Sequence, residues 1–241
     1  MSLMSWKGSP VFGTKRGRRL AAVGTIGLGA CLLLSACGGQ VKMGAAAIVG
    51  NQRITTSSLD TQVSNLQTAA KPYGSTLQLS TAEMPTAVLS WLIRFDIMNQ
   101  IAADHGITVS QAEIQAGRAS ITSQAASAAS EEGYSSANEV LIGAGIPPSL
   151  FTELGTYQAQ ETAYALKVGN GKLPSTTAEE NTFTTAFDKA QCQASKALNI
   201  QVSPQFGRFD YSQYAVVATP NVLSATPSAS PASTEGLTPA C

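Results

Sequence analysis

The side chains of this sequence best suited to nucleophilic, redox or proton-transfer work are the thiols of Cys31, Cys37, Cys192 and Cys241 and the imidazole of His105. Their spacing decides which chemistry is open to them. Neither Cys192 nor Cys241 stands in a C-x-x-C pattern, which argues against a dithiol oxidoreductase. A Ser-His-Asp hydrolase would have to use His105, yet no G-x-S-x-G turn exists to present a serine. One histidine with two scattered late cysteines makes no metal-ligand cluster. Carboxylate pairs such as Glu131-Glu132 and Glu179-Glu180 read as solvated faces, and no glycine-rich phosphate loop joins a strand to a helix. The expectation is a protein without a catalytic residue, metal or cofactor. The chemistry that remains is at Cys37. Its thiol follows the small residues Ser35-Ala36 at the end of an apolar run from Leu20 to Leu34, which is preceded by Lys15, Arg16, Arg18 and Arg19. A basic segment, a short apolar segment and small residues at the cut make a signal peptide. The apolar run falls short of the roughly 20 residues that a spanning helix needs.

The four residues Leu34-Ser35-Ala36-Cys37 resemble the lipobox of bacterial lipoproteins. The resemblance implies cleavage before Cys37, acylation of its thiol, and residence at the extracytoplasmic face of the bacterial cell membrane. Residues 1–36 are then the signal and 37–44 a lipidated tether. Cys31 leaves with the signal. Cys192 and Cys241 stay in an oxidising compartment, where a disulfide tying the C-terminal tail to a helix is one outcome and a pair of free thiols the other. Removing residues 1–36 of 241 leaves 205, with ten Lys and Arg against fifteen Asp and Glu, a net charge of −5. No basic stripe remains, which argues against nucleic acid. A mildly acidic surface adds no attraction to anionic lipid, so membrane association rests on the acyl chains.

The elements behind the tether read mainly as helices. Ala45 to Val49, the punctuation Gly50-Asn51 and Gln52-Arg53-Ile54 form a short hairpin. Thr55 or Thr56 caps a helix on which Leu59, Val63, Leu66 and Ala70 share a face. Pro85 opens the strongest helix, which runs to His105-Gly106. It carries two adjacent apolar stripes, one of Val88, Trp91, Leu92, Phe95, Met98 and Ala102, the other of Leu89, Ile93, Ile97 and Ile101. Arg94, Asp96 and Asp104 would each cost roughly 2.5–3.5 kcal/mol in mid-membrane, so this is a central helix packed on several sides. Part of its apolar surplus is available to line a groove for apolar peptide. Ser110-x-x-Glu113 is a capping box before an Ala-, Ser- and Gln-rich helix to Glu132 that needs close contacts, and Ser136-x-x-Glu139 opens a short one. Pro147-Pro148-Ser149 starts a helix with Leu150, Leu154, Tyr157, Glu161, Tyr164 and Val168 along one side. A last helix spans Thr177 to Leu198. The extended segments Ile200–Ser203 and Phe206–Asp210 then pair with the first hairpin, bringing the two ends of the domain together. Residues 218–241, rich in Thr, Pro, Ser and Ala, cannot offset the entropy of their own ordering and read as a disordered tail.

Three segments carry a resemblance to the SurA N-terminal-domain and PrsA-like foldase lipoproteins. They are Ala47-Ile48-Val49-Gly50-Asn51-Gln52-Arg53-Ile54-Thr55, the block Leu89 to Ser110 ending Gly106-Ile107-Thr108-Val109-Ser110, and Ala197 to Asp210 with Val202-Ser203-Pro204-Gln205-Phe206-Gly207. The resemblance implies a helical chaperone core over 45–217 that binds unfolded, newly exported polypeptides. Trp91, Phe95, Met98, Phe151, Tyr157 and Tyr164 are the candidate client contacts, all equally explicable as core. Full-length relatives insert a parvulin-type isomerase domain before the last core helix. Here that position is the short loop around Gly169–Ser175, which leaves a holdase without isomerase activity. The alternative is a non-catalytic lipoprotein that uses the fold to bind one dedicated envelope partner.

Overall fold

The apolar width of the central helix is matched by what surrounds it. In the computed structural model, which describes residues 43–74, 77 and 79–219, this helix packs against three other helices and two strands. The signal segment, Cys37, Cys241 and everything beyond residue 219 lie outside the described residues. The chain runs through β1 (Ala45–Val49), β2 (Gln52–Thr55), α1 (Thr56–Ala70), α2 (Met84–Asp104), α3 (Gln111–Glu132) and α4 (Ala137–Gly143). A 3-10 turn (Pro148–Leu150) leads into α5 (Phe151–Val168), followed by α6 (Thr177–Leu198), β3 (Gln201–Val202), β4 (Arg208–Asp210) and β5 (Ala215–Val217). The fold is mainly α with a small antiparallel β element.

That element joins the two ends of the domain. β1 lies between β2 and β3, with Ala47 opposite Val202 and Ile48 opposite Gln201. Phe206–Asp210 departs from expectation, because β4 does not enter this sheet. It pairs instead with β5 in a separate hairpin, Phe209 opposite Val216. The turn after β3 diverts it: the Phe206 N–H donates to the Ser203 carbonyl at 2.9 Å, and Gly207 takes φ +117°. A Cβ at Gly207 would lie 2.1 Å from the Val217 carbonyl oxygen, so this approach of β4 to β5 needs a glycine.

Helix starts follow one recurrent chemistry. Thr55 caps α1, accepting from the Ser58 N–H at 3.0 Å. Full capping boxes open α3 (Ser110 with Glu113) and α6 (Thr176 with Glu179). Ahead of α2, the Glu83 carboxylate accepts from both the N–H and the hydroxyl of Ser80. At α4 the pattern is shifted by one residue. Ser136 accepts from the Glu139 N–H, but the Glu139 carboxylate reaches back to Ser135. A side-chain N-cap contributes about 1 kcal/mol, which matters for α3, whose apolar content is thin.

α2 serves two hydrophobic clusters at once. Val88, Leu89, Ile93, Ile97, Met98 and Ile101 join Leu59 and Leu66 of α1, Phe183 and Ala194 of α6, and Val49, Phe209 and Val216 of the strands. Trp91 and Phe95 turn to a second cluster with Ala125, Leu141, Ile146, Leu150 and Leu154. α3 reaches α5 through small residues: a Cβ at Gly117 would lie 2.4 Å from the Gly155 carbonyl oxygen, and one at Gly155 would lie 2.9 Å from that of Ile114. The two backbones touch, as the small-residue composition of α3 requires.

Candidate functional site

The candidate client-contact residues divide by position. Met98, Tyr164, Trp91 and Phe95 are buried, at 1%, 5%, 7% and 8% exposure, whereas Phe151 and Tyr157 are half-buried and reach solvent. Trp91, Phe95 and Tyr157 form a ring triad with centroids 5.9–6.4 Å apart, Tyr157 edge-on to both others. Such edge-to-face geometry suits the aromatic quadrupoles. The Trp91 indole N–H donates to the Ala144 carbonyl at 2.9 Å, fixing the ring from the α4 side. Tyr164 lies apart from the triad, donating its hydroxyl to the Ala186 carbonyl at 3.1 Å and packing edge-on against His105 at 5.0 Å. His105 is the C-cap of α2, and its own carbonyl accepts from the Lys167 ammonium. Besides Met43, the large apolar side chains left exposed among the described residues are Leu166 (36%), near the end of α5, and Leu173 (52%), after it.

Arg94 organises the polar side of the triad. Its guanidinium carbon stands 5.1 Å from the centroid of the Trp91 ring, and its nitrogens donate to the carbonyls of Tyr214 (3.0 Å) and Gln213 (3.3 Å). One turn earlier on α2, the Ser90 hydroxyl accepts from the Val216 N–H at 2.9 Å while donating to the Thr86 carbonyl. Together these hold the β4–β5 hairpin on α2. Val216 and Val217 are strand formers, but a run of three residues is too short to announce a strand, and this clasp was not legible in the sequence. A polar pair on α2 at i, i+4, Ser90 and Arg94, was the available signal.

Two carboxyls near this region are displaced from their ordinary range. Burial pushes Glu161 of α5 up to about 7 and Asp96 of α2 up to about 6. Tyr157 is raised, first by burial and then by the Glu161 charge, with Arg94 acting in the opposite sense. Burial pulls the Arg94 guanidinium below its usual value, with the phenol working against that. Arg94, Tyr157 and Glu161 are therefore near enough to sense one another, though none of their charges is ion-paired among the described residues. For Glu161 the folded chain keeps a proton that the unfolded chain releases from about pH 4.5 upward, so the stabilising contribution is complete below that pH. It is lost as the pH rises through about 7. Allowing for partial exposure, Glu161 should account for about 1–2 kcal/mol of that fall. Glu161→Gln is expected to remove the Glu161 share of this slope and leave that of Asp96, checked by urea midpoints at pH 5 and pH 8. An unchanged slope would show that Glu161 ionises freely in the folded protein.

The comparisons with known proteins bear on this architecture. Residues 19–127 match the family model described as SurA-like N-terminal domain. Over that stretch the chain is similar to the SurA-like N-terminal domain. No curated protein and no solved structure matches it. The match covers β1, β2, α1, α2 and α3 as far as Ser127, so it ends before α4, α5, α6 and the C-terminal strands that complete the core. The family is chaperone-related rather than catalytic, a role that implies binding of polypeptide clients. Cys192, on α6, is 4% exposed and disulfide-bonded, and its partner cysteine lies outside the described residues. Among the described residues no helix is long and apolar enough to cross a membrane, and no group of His, Cys, Asp and Glu is arranged to hold a metal ion.

Proposed function

We propose that the protein is a lipid-anchored, ATP-independent chaperone of the holdase type, acting on apolar segments of unfolded proteins at the extracytoplasmic face of the cell membrane. The match of residues 19–127 to the SurA-like N-terminal domain carries this reading. α5 and α6 are joined by only residues 169–176, so the chain has no isomerase domain at that place and the reading is of binding without catalysis. Client contact falls to the candidate side chains that keep accessible surface, Phe151 and Tyr157. The buried members of the candidate set shape the support beneath.

The anchoring part of the reading also constrains the disulfide. Cys31 leaves with the signal and the Cys37 thiol is consumed by the lipid, so Cys241 is the cysteine left to bond Cys192. Mass analysis of the mature protein without reduction should find acyl chains on Cys37 and a cross-link between the Cys192 and Cys241 peptides. A Cys37–Cys192 cross-link would exclude lipidation and overturn the anchoring. For the chaperone reading, the purified protein should suppress aggregation of several unrelated unfolded proteins at near-stoichiometric ratio, without ATP. Protection of one protein alone would favour the dedicated adaptor.

A further inference from the structure

Tyr157 packs its ring against the triad and leaves its hydroxyl uncommitted. The ring stands edge-on to Trp91 at 6.4 Å, and the Arg94 guanidinium carbon lies 5.1 Å from the centroid of the same indole. Arg94 of α2 and Tyr157 of α5 are therefore neighbours across one aromatic ring. Glu161 follows Tyr157 by one turn of α5, a spacing that sets the two side chains next to each other. Beyond the effect of burial, the phenol responds to both charged groups in opposite senses, to Glu161 and to Arg94, whereas burial alone moves the Glu161 carboxyl. The hydroxyl thus stands between the cation and the acid.

Each of the three keeps hydrogen-bonding capacity that no described residue takes up. Arg94 commits Nε to the Tyr214 carbonyl and Nη2 to the Gln213 carbonyl, which leaves the donors of Nη1. The Tyr157 hydroxyl and the Glu161 carboxyl have no hydrogen-bond partner among the described residues. No fully enclosed side-chain nitrogen or oxygen among those residues lacks a partner, so these atoms are open to approach from outside. Burial nonetheless raises both the phenol and the carboxyl. Polar atoms that are reachable yet poorly hydrated lie in a recess, where a hydrogen bond to a ligand meets little competition from water.

The order of donors and acceptors selects the ligand. Nη1 can only donate, a Glu161 oxygen accepts in either protonation state, and the hydroxyl between them does both. A carboxylate would satisfy Arg94 but set an oxygen against Glu161, and an ammonium would reverse that conflict. A planar trans amide meets both demands, since its C=O and N–H point to opposite sides. Every residue of an unfolded chain except proline brings such a unit. We propose that Arg94, Tyr157 and Glu161 form a clamp for one peptide unit of a client's extended main chain, Arg94 donating to its carbonyl, Glu161 accepting from its N–H, and the Tyr157 hydroxyl bonding between them. The clamp reads no client side chain, so it holds unrelated sequences alike. The inference rests on the chaperone reading above.

The test uses the purified mature protein and a labelled apolar peptide with capped ends and no Asn or Gln, so that the main chain is its source of amides. Binding is read by fluorescence anisotropy. Tyr157→Phe keeps the ring of the triad and removes no hydrogen bond made among the described residues, so its urea midpoint should match that of the unchanged protein. Its peptide affinity should fall about two- to tenfold, the net contribution of one hydrogen bond. An analogue of the same peptide with an ester oxygen in place of each N–H should bind the unchanged protein more weakly, and Glu161→Leu should reduce that ester penalty by about two- to tenfold. Native affinity in folded Tyr157→Phe, or an ester penalty unaltered in Glu161→Leu, overturns the clamp and leaves the chaperone reading standing. Failure of the unchanged protein both to bind the peptide and to suppress aggregation removes the two together.

Discussion

Gly117→Ala should destabilise the domain by about 2–3 kcal/mol, a large effect for one added methyl group. The new Cβ would meet the Gly155 carbonyl oxygen at 2.4 Å and the Ala159 nitrogen at 3.1 Å, both of them backbone atoms that no rotamer change can move. α3 would have to lift from α5, and α3 has little else to hold it, since Ile114, Gly117, Ala125 and Ala129 are its buried residues. Gly133→Ala is the matched control. Its Cβ would meet nothing within 4 Å, so only its left-handed φ of +80° is penalised, at about 1–2 kcal/mol. Thermal unfolding of the two variants side by side checks the difference. A Gly117→Ala midpoint no lower than that of Gly133→Ala would mean that the crossing is looser than the structure shows.

Trp91→Ala should cost more, about 3–5 kcal/mol. Removing the indole opens a cavity beneath Phe95 and Tyr157, leaves the Ala144 carbonyl without that donor, and takes away the ring under the Arg94 guanidinium. The prediction bears on function as well as stability. A residue at 7% exposure acts on clients through the support it gives the fold. Aggregation suppression by Trp91→Ala should therefore fall in step with its folded fraction, measured by urea titration at the assay temperature. Loss of suppression with full native stability would instead place Trp91 in direct contact with client.

The α1 face was readable because four apolar residues at helical spacing admit one orientation, and Leu59, Val63, Leu66 and Ala70 are the residues buried there. The bounds of α6 were readable for a similar reason, since Thr177 follows a capping threonine and Asn199 ends the helix at φ +45°. α2 was legible in its width but not in how that width divides. The stripe containing Val88, Trp91, Phe95 and Met98 splits between the two clusters, Val88 and Met98 going one way, Trp91 and Phe95 the other. Periodicity places residues around a helix axis; it carries no information on where one neighbour stops and the next begins. The β4–β5 hairpin was illegible because its strands have three residues each and are held by Ser90 and Arg94, far away in sequence. The site suffered the same limit. The sequence offered six candidate client contacts equally explicable as core, and only packing separates Tyr157, which is half-buried, from Met98, which has almost no exposure.

The position of β1 between β2 and β3 has a consequence in time. Ala47 and Val202 are partners 155 positions apart, and closing so long a loop is entropically slow. A chain that emerges N-terminus first can form the β1–β2 hairpin at once, yet must leave the other edge of β1 open until residue 202 arrives. Completion of the sheet therefore waits until residue 202 has emerged, and until then the protein must itself survive as an incompletely folded polypeptide.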